Sequence, residues 1–188
     1  RLVGVEPDAI ARKVAGAKGL DVLAGTAEAL PETLIGQHFD LVTFTHALEH
    51  CRDPLLALAN IPPLLGENGV LYCEVPNCGS IYFQSVAPIS EMLDVPRHLH
   101  FFTRAALAGF CTAAGLKVIG WNHHGYTRHF NADWRAWENE IHAMLIAHGA
   151  EGPVPRRSMA NSFALIARSM AAPPDRKYDC IGFFARAA

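Results

Sequence analysis

Three groups of residues in this sequence are of types, and at spacings, that could do chemistry. His46-x-x-Glu49-His50 sets two histidines and a carboxylate in one short segment. Arg97-His98-x-His100 offers a cation and two imidazoles further along. Histidine suits proton transfer near neutral pH, and arginine suits an acidic partner. The third group is a series of acidic or polar residues closing short apolar runs: Glu6, Thr45-His46 and Glu74. In open α/β sheets, ligands bind outside the carboxyl ends of the strands. An acid placed there, as Glu6 is, can accept hydrogen bonds from both hydroxyls of a nucleoside ribose. Its plainer reading is a solvated acid favoured by the helix start that follows.

His46-x-x-Glu49-His50 also spells H-x-x-E-H, the zinc pattern of inverted metallopeptidases. That chemistry needs both histidines one turn apart within a helix. Here His46 directly follows a β-rich run, Pro54 follows soon after His50, and no second motif supplies a third ligand. His50-Cys51 with Cys73 or Cys78 fits no zinc spacing either. The sequence therefore assigns no metal to the chain.

The elements that must hold these groups alternate. Strands are expected at 2–5, 21–23, 39–44, 70–75, 117–121 and 162–167, and helices at 9–17, 54–59 and 104–114. Asp8 and Thr103 stand as N-caps, and Gly19 and Gly115 stand where helices end. Pro62-Pro63 must end or kink the second helix. Residues 76–102, with Pro76, Gly79, Pro88 and Pro96, read as a long irregular lid. Trp134, Trp137, Ile141, Met144 and Leu145 form one helical stripe, expected to pack on the sheet. The alternation predicts an α/β fold with a largely parallel sheet. Residues 1–170 would be the domain, and 171–188, with Pro173-Pro174, a tail.

Composition narrows the function classes. The 188 residues are 51% hydrophobic and 18% charged, which fits one globular domain. Sixteen Lys and Arg against eighteen Asp and Glu leave a charge of −2, without the basic footprint of a nucleic-acid binder. No apolar run approaches the ~20 residues of a membrane span, and no secretory signal is visible. Five scattered cysteines without a C-x-x-C pair suggest a reducing, cytoplasmic setting.

Taken in order, the segments resemble the class I S-adenosylmethionine-dependent methyltransferases, in their small-molecule branch with a Rossmann-like sheet. The resemblance rests on Val3-Gly4-Val5-Glu6-Pro7-Asp8, Gly25-Thr26-Ala27-Glu28-Ala29-Leu30-Pro31 and Phe39-Asp40-Leu41-Val42. It continues through His46-Ala47-Leu48-Glu49-His50, Asn68-Gly69-Val70-Leu71, Glu74-Val75-Pro76-Asn77 and Pro96-Arg97-His98-Leu99-His100-Phe101-Phe102-Thr103. It spans about residues 1–122 and starts at the fold's second strand. The first strand–helix unit, with its glycine-rich loop, is thus expected to be missing.

The resemblance implies S-adenosylmethionine as cofactor and a small-molecule acceptor. Glu6 would hold the cofactor ribose, with Pro7 along the adenine face and Thr26 and Ala27 at the adenine edge. Thr26 departs from the family's usual Asp. Thr45 and His46 would flank the methionine portion. His98 and His46 are the candidate catalytic residues, and Arg97, His100 and Glu74 the candidate acceptor contacts. Residues 76–102 and 123–161 would shape the pocket, where Tyr82, Phe83, Trp134, Trp137, His123 and His124 suggest a ring or sugar acceptor. Two alternatives stay open: a non-catalytic remnant or interaction module of the same fold, and an NAD-dependent oxidoreductase, whose ribose is also read by an acid after a strand.

Overall fold

The computed structural model describes residues 1–126 and 130–188. β1 (Gly4–Glu6) leads into α1 (Ala9–Ala17), and the Asp8 carboxylate caps it by accepting from the Ala11 N–H at 2.7 Å. β2 (Val22–Ala24) lies parallel to β1, with Val5 opposite Leu23. β3 (Phe39–Thr45) and β4 (Leu65–Pro76) are also parallel, joined through α2 (Pro54–Ala59), with Asp53 as its cap and Pro54 in its first turn.

After β4 come α3 (Ile81–Val86), α4 (Arg104–Ala113) capped by Thr103, and β5 (Leu116–His124). α5 (Ala132–Ala147), α6 (Met159–Ser169), α7 (Pro174–Lys177) and β6 (Cys180–Ala187) complete the chain. The strands form a β1-β2 pair and a four-stranded sheet in the order β3-β4-β6-β5. β6 is antiparallel to both neighbours, so β3, β4 and β5 share one direction. The result is a Rossmann-like α/β architecture with a mostly parallel sheet.

Four expectations change, the last of them the packing of the α5 stripe described below. Residues 162–167 are helical: Ser162, Leu165 and Ser169 are buried at helical spacing, and Ser158 caps α6. Residues 180–187 are no tail, since β6 lies between β4 and β5, and Ile181, Phe183 and Ala185 are completely buried. The segment 76–102 contains α3 and short 3₁₀ turns at Ala87–Ile89 and Glu91–Leu93.

Leu71, Cys73 and Val75 of β4 meet the inward residues of β6, with Leu58 and Leu107 covering them from the helices. Val3, Val5 and Leu23 pack on the edge of this core. A second cluster, of Tyr82, Phe83, Val86, Ile89, Met92 and Leu165, forms the lid. The α5 stripe packs there through Ile141 and Leu145, and not on the sheet. Among the described residues, no helix is long and apolar enough to cross a membrane.

Candidate active site

The site grows from the turn after β3. Thr45 stands opposite Glu74 at the carboxyl end of β4, and the next N–H, of His46, donates to the Glu74 carbonyl at 2.9 Å. His46 then takes φ of +49°, a left-handed conformation costing a non-glycine residue about 1 kcal/mol or more. This bend throws the 3₁₀ turn Leu48–His50 across the strand ends, with Leu48 and Glu49 buried.

The His46 ring lies between two carboxylates. Its Nδ1 is 3.2 Å from Glu49 Oε1, and its Nε2 is 3.3 Å from Glu74 Oε1. A hydrogen bond to the Cys180 sulfur, followed by that to Glu49, pushes the His46 pKa up to about 10. The two flanking carboxylates and the raised pKa together favour the protonated ring near neutral pH. Burial pushes the Glu74 carboxyl up, but hydrogen bonds from the Tyr72 hydroxyl and His124, with the His46 charge, outweigh it and hold it low. Glu74 thus anchors the strand ends.

The lid is tied to the same turn. The Leu99 and His100 N–H groups donate to the Glu49 carbonyl at 2.9 and 3.2 Å, and those of Arg97 and His98 donate to the Asp94 carbonyl. This places His98, 11% exposed, beside the turn, with Nε2 at 3.9 Å from Glu49 Oε1 and 4.0 Å from Asp94 Oδ2. Its Nδ1 lies 2.7 Å from the Met92 carbonyl oxygen. A carbonyl only accepts, so Nδ1 carries the proton and a neutral His98 keeps its lone pair on Nε2. A cavity of about 410 Å³ opens here, lined by His46, His50, His98, Arg97, Trp134 and Trp137 among others.

The predicted residues sort themselves against this geometry. His98, His46 and Arg97 meet at the cavity. The Arg97 guanidinium forks onto the Asp94 carboxylate, with Nε at 2.8 Å. His100 does not reach the cavity lining; it stacks near Phe102, with ring centroids 5.9 Å apart. Tyr82 and Phe83 are lid core, and His124 is held by Glu74. His123 lies near Tyr178, and burial, then the Arg104 charge, lower its pKa. Residues 127–129 of the pocket-shaping segment 123–161 lie outside the described residues. Glu49, His50 and Asp94 carry more of the site than their sequence positions suggest. Glu49-His50 stood in plain view in the H-x-x-E-H motif, whereas the placement of Asp94 has no local signal.

On the other side lie the ends of β1 and β2. Glu6 Oε1 accepts from the Asp8 N–H at 2.8 Å, and Oε2 accepts from no described residue. Arg12 holds the carbonyls of Glu6 and Pro7 at 2.7 Å each, fixing the strand exit. Thr26 Oγ1 accepts from the Ala29 N–H at 3.0 Å, closing a tight turn. A Cβ on Gly25 would meet Pro31 Cδ at 2.8 Å, so this turn requires glycine. Asn60 donates to the Ala27 and Glu28 carbonyls, while Glu28 accepts from the Arg52 N–H at 2.7 Å. These bonds tie the turn after β2 to the segment after β3. Glu6, Thr26, Ala27, Thr45 and His46 thus all lie at carboxyl ends of parallel strands, and the Glu6 carboxylate, with one uncommitted oxygen, has the chemistry to accept hydrogen bonds from a nucleoside's hydroxyls.

A methyltransferase-domain profile matches residues 1–120. No curated protein matches the chain significantly. Solved structures with the same fold include an S-adenosylmethionine-dependent methyltransferase from Thermotoga maritima, at TM-score 0.61 and 20% identity, covering 99% of this chain and 72% of that one. Another is a Haloferax volcanii methyltransferase in complex with its activator Trm112, at TM-score 0.63 and 17% identity, covering 98% and 71%. A third, an S-adenosylmethionine-dependent methyltransferase from Archaeoglobus fulgidus, has TM-score 0.61 and 15% identity, covering 97% and 74%. Given the profile match over most of its length, the chain belongs to the class I methyltransferases, whose cofactor is S-adenosylmethionine.

Proposed function

We propose that this protein transfers the methyl group of S-adenosylmethionine to a small-molecule acceptor seated in the His98 cavity. The observation that carries the reading is the position of His46. It ends the series of strand-end residues on the cofactor side and also lines the acceptor cavity. Donor and acceptor would meet across this residue. A volume of about 410 Å³ with two tryptophans suits a small ring-bearing molecule. The cofactor's sulfonium supplies an activated methyl group, so the protein's task is largely to hold the acceptor in line with it. Glu6 would bind the ribose, Pro7, Thr26 and Ala27 the adenine, and Thr45 and His46 the methionine end. His98 would face the acceptor, and Arg97 would meet an acidic group on it. The five free cysteines, four of them buried, agree with work in the cytoplasm.

The domain reading is of an incomplete sheet. Among the described residues, β1 pairs only with β2, and β3 only with β4, so each of β1 and β3 has one edge unpaired. Ile10 and Val14 of α1 and Leu41 of β3 are 74%, 52% and 56% exposed. A further parallel strand and helix between the two sheets would cover these groups and bring a backbone loop to the methionine end. The reading is tested by calorimetric titration of S-adenosylhomocysteine into the full-length protein. Micromolar binding is expected, and no heat at about 1 mM ligand overturns it.

A further inference from the structure

We propose that Glu49, His50 and His98 form a binding site for a divalent transition-metal ion at the wall of the acceptor cavity. One ligand atom from each residue lies within 4.8 Å of the other two. The two histidines are arranged alike. His50 Nδ1 lies 2.9 Å from the Arg97 carbonyl oxygen, and His98 Nδ1 lies 2.7 Å from that of Met92. Each carbonyl can only accept, so each neutral ring is fixed with its proton on Nδ1 and its lone pair on Nε2. Metal-binding histidines are typically oriented by such an outer hydrogen bond.

Glu49 supplies the second, independent observation. It is fully buried, and among the described residues its Oε2 has no hydrogen-bond partner. A buried carboxylate oxygen left unpaired is unfavourable, and a cation beside it would satisfy it. Glu49 Oε1 is already engaged by His46 at 3.2 Å, which steadies the carboxylate while Oε2 stays available.

The dimensions agree. Ligand atoms of a tetrahedral ion with ~2.1 Å bonds lie roughly 3.4 Å apart. Glu49 Oε1, the oxygen engaged by His46, is 3.9 Å from His98 Nε2, so the carboxylate stands within a side-chain rotation of the ion, and that rotation would turn its Oε2 to the metal. Two imidazoles and one carboxylate suit zinc, iron or nickel better than magnesium or calcium. His50 is exposed and, with His98, lines the cavity, giving the ion a way in and leaving a coordination position toward the acceptor. This departs from the sequence reading, which assigned no metal. The H-x-x-E-H zinc pattern requires a helical site, whereas here the third ligand comes from the lid.

Resting on the methyltransferase reading, the ion's task would be to bind an acceptor hydroxyl and lower its pKa, the proton leaving to solvent at the exposed His50 side of the cavity, in place of proton removal by an uncoordinated histidine. The binding site itself is tested without cofactor or acceptor. Chelator-treated protein is titrated with Zn²⁺ by calorimetry and with Co²⁺ by visible absorption. One ion per chain is expected, with the strong visible bands of low-symmetry Co²⁺. His50→Ala and His98→Ala should each weaken binding by at least about 10-fold, while His148→Ala, an exposed histidine just beyond α5, changes nothing. His50 is exposed, so its variant keeps the test sound if a change at buried Glu49 unfolds the chain. No binding at about 1 mM ion, or binding unchanged in both histidine variants, overturns the site. Protein that binds S-adenosylhomocysteine but no ion overturns the metal site alone. Protein that binds the ion but not S-adenosylhomocysteine keeps the site and overturns the methyltransferase reading.

Discussion

His98 Nε2 stands 3.9 Å from Glu49 Oε1, linking the lid to the turn that follows β3. The two residues come from segments whose backbones are also joined, since the Glu49 carbonyl accepts from the N–H groups of Leu99 and His100. Lid position and site geometry are therefore one variable.

Replacing His98 should separate binding from turnover. In His98→Ala, kcat should fall by roughly 10²-fold or more, whether the ring takes a proton or holds an ion. The affinity for S-adenosylhomocysteine should change by less than about 3-fold, because its proposed contacts lie on the other side of His46. Steady-state kinetics alongside calorimetry reads both.

Glu6 should show the reverse pattern. Removing a charged acceptor of ribose hydroxyl hydrogen bonds costs about 1.5–3 kcal/mol, or roughly 10- to 150-fold in Kd. Glu6→Ala should weaken S-adenosylhomocysteine by that factor with an unchanged circular-dichroism spectrum. Full affinity in the variant would move the ribose elsewhere.

His46 gives stability a pH dependence of definite sign. Its folded pKa is raised to about 10 from a reference value of 6.5. The stabilisation is complete below the reference value and is lost as pH rises towards about 10. Its ring is 40% exposed, so solvent screening keeps the effect modest. Urea midpoints should fall over this window, and His46→Gln should flatten the slope. Glu74 acts in the opposite sense, its contribution present above the ordinary carboxylate range and lost on acidification.

A buried ion pair on α5 and the segment after it braces the lid from behind. Arg157 Nε lies 2.9 Å from Glu138 Oε2, both side chains 1% exposed, though the N–H does not point along the contact. Glu138 also accepts from the Tyr82 hydroxyl. Arg157→Met strands the carboxylate and should cost about 3–5 kcal/mol, seen as a Tm lower by roughly 10 °C. The double variant Glu138→Met/Arg157→Met should recover part of that loss.

The early half of the fold was legible because its signals are local. Asp8 and Thr103 are caps whose side chains do accept from the expected turn, and Glu6, Thr26 and Thr45 fall at strand ends. The later half depends on tertiary choices. Residues 162–167 form an apolar run short enough for a strand, and only burial of Ser162, Leu165 and Ser169 on one helical face decides otherwise. Cys180–Ala187 follows a proline pair that suggested an ending, yet its apolar residues fill the middle of the sheet. The site shows the same division. His98 was legible as a histidine on a lid, but its pairing with Glu49 is a contact across 49 positions that no spacing encodes.

The place of β6 also sets an order of assembly. β4 and β5 touch it from either side, and Glu74 sits opposite Gly182. During synthesis both strands must wait with an open flank until residues 180–187 leave the ribosome, and only then can the sheet beneath the cavity close. A nascent chain stalled before that point would hold every residue of the candidate site and still lack the floor that aligns them.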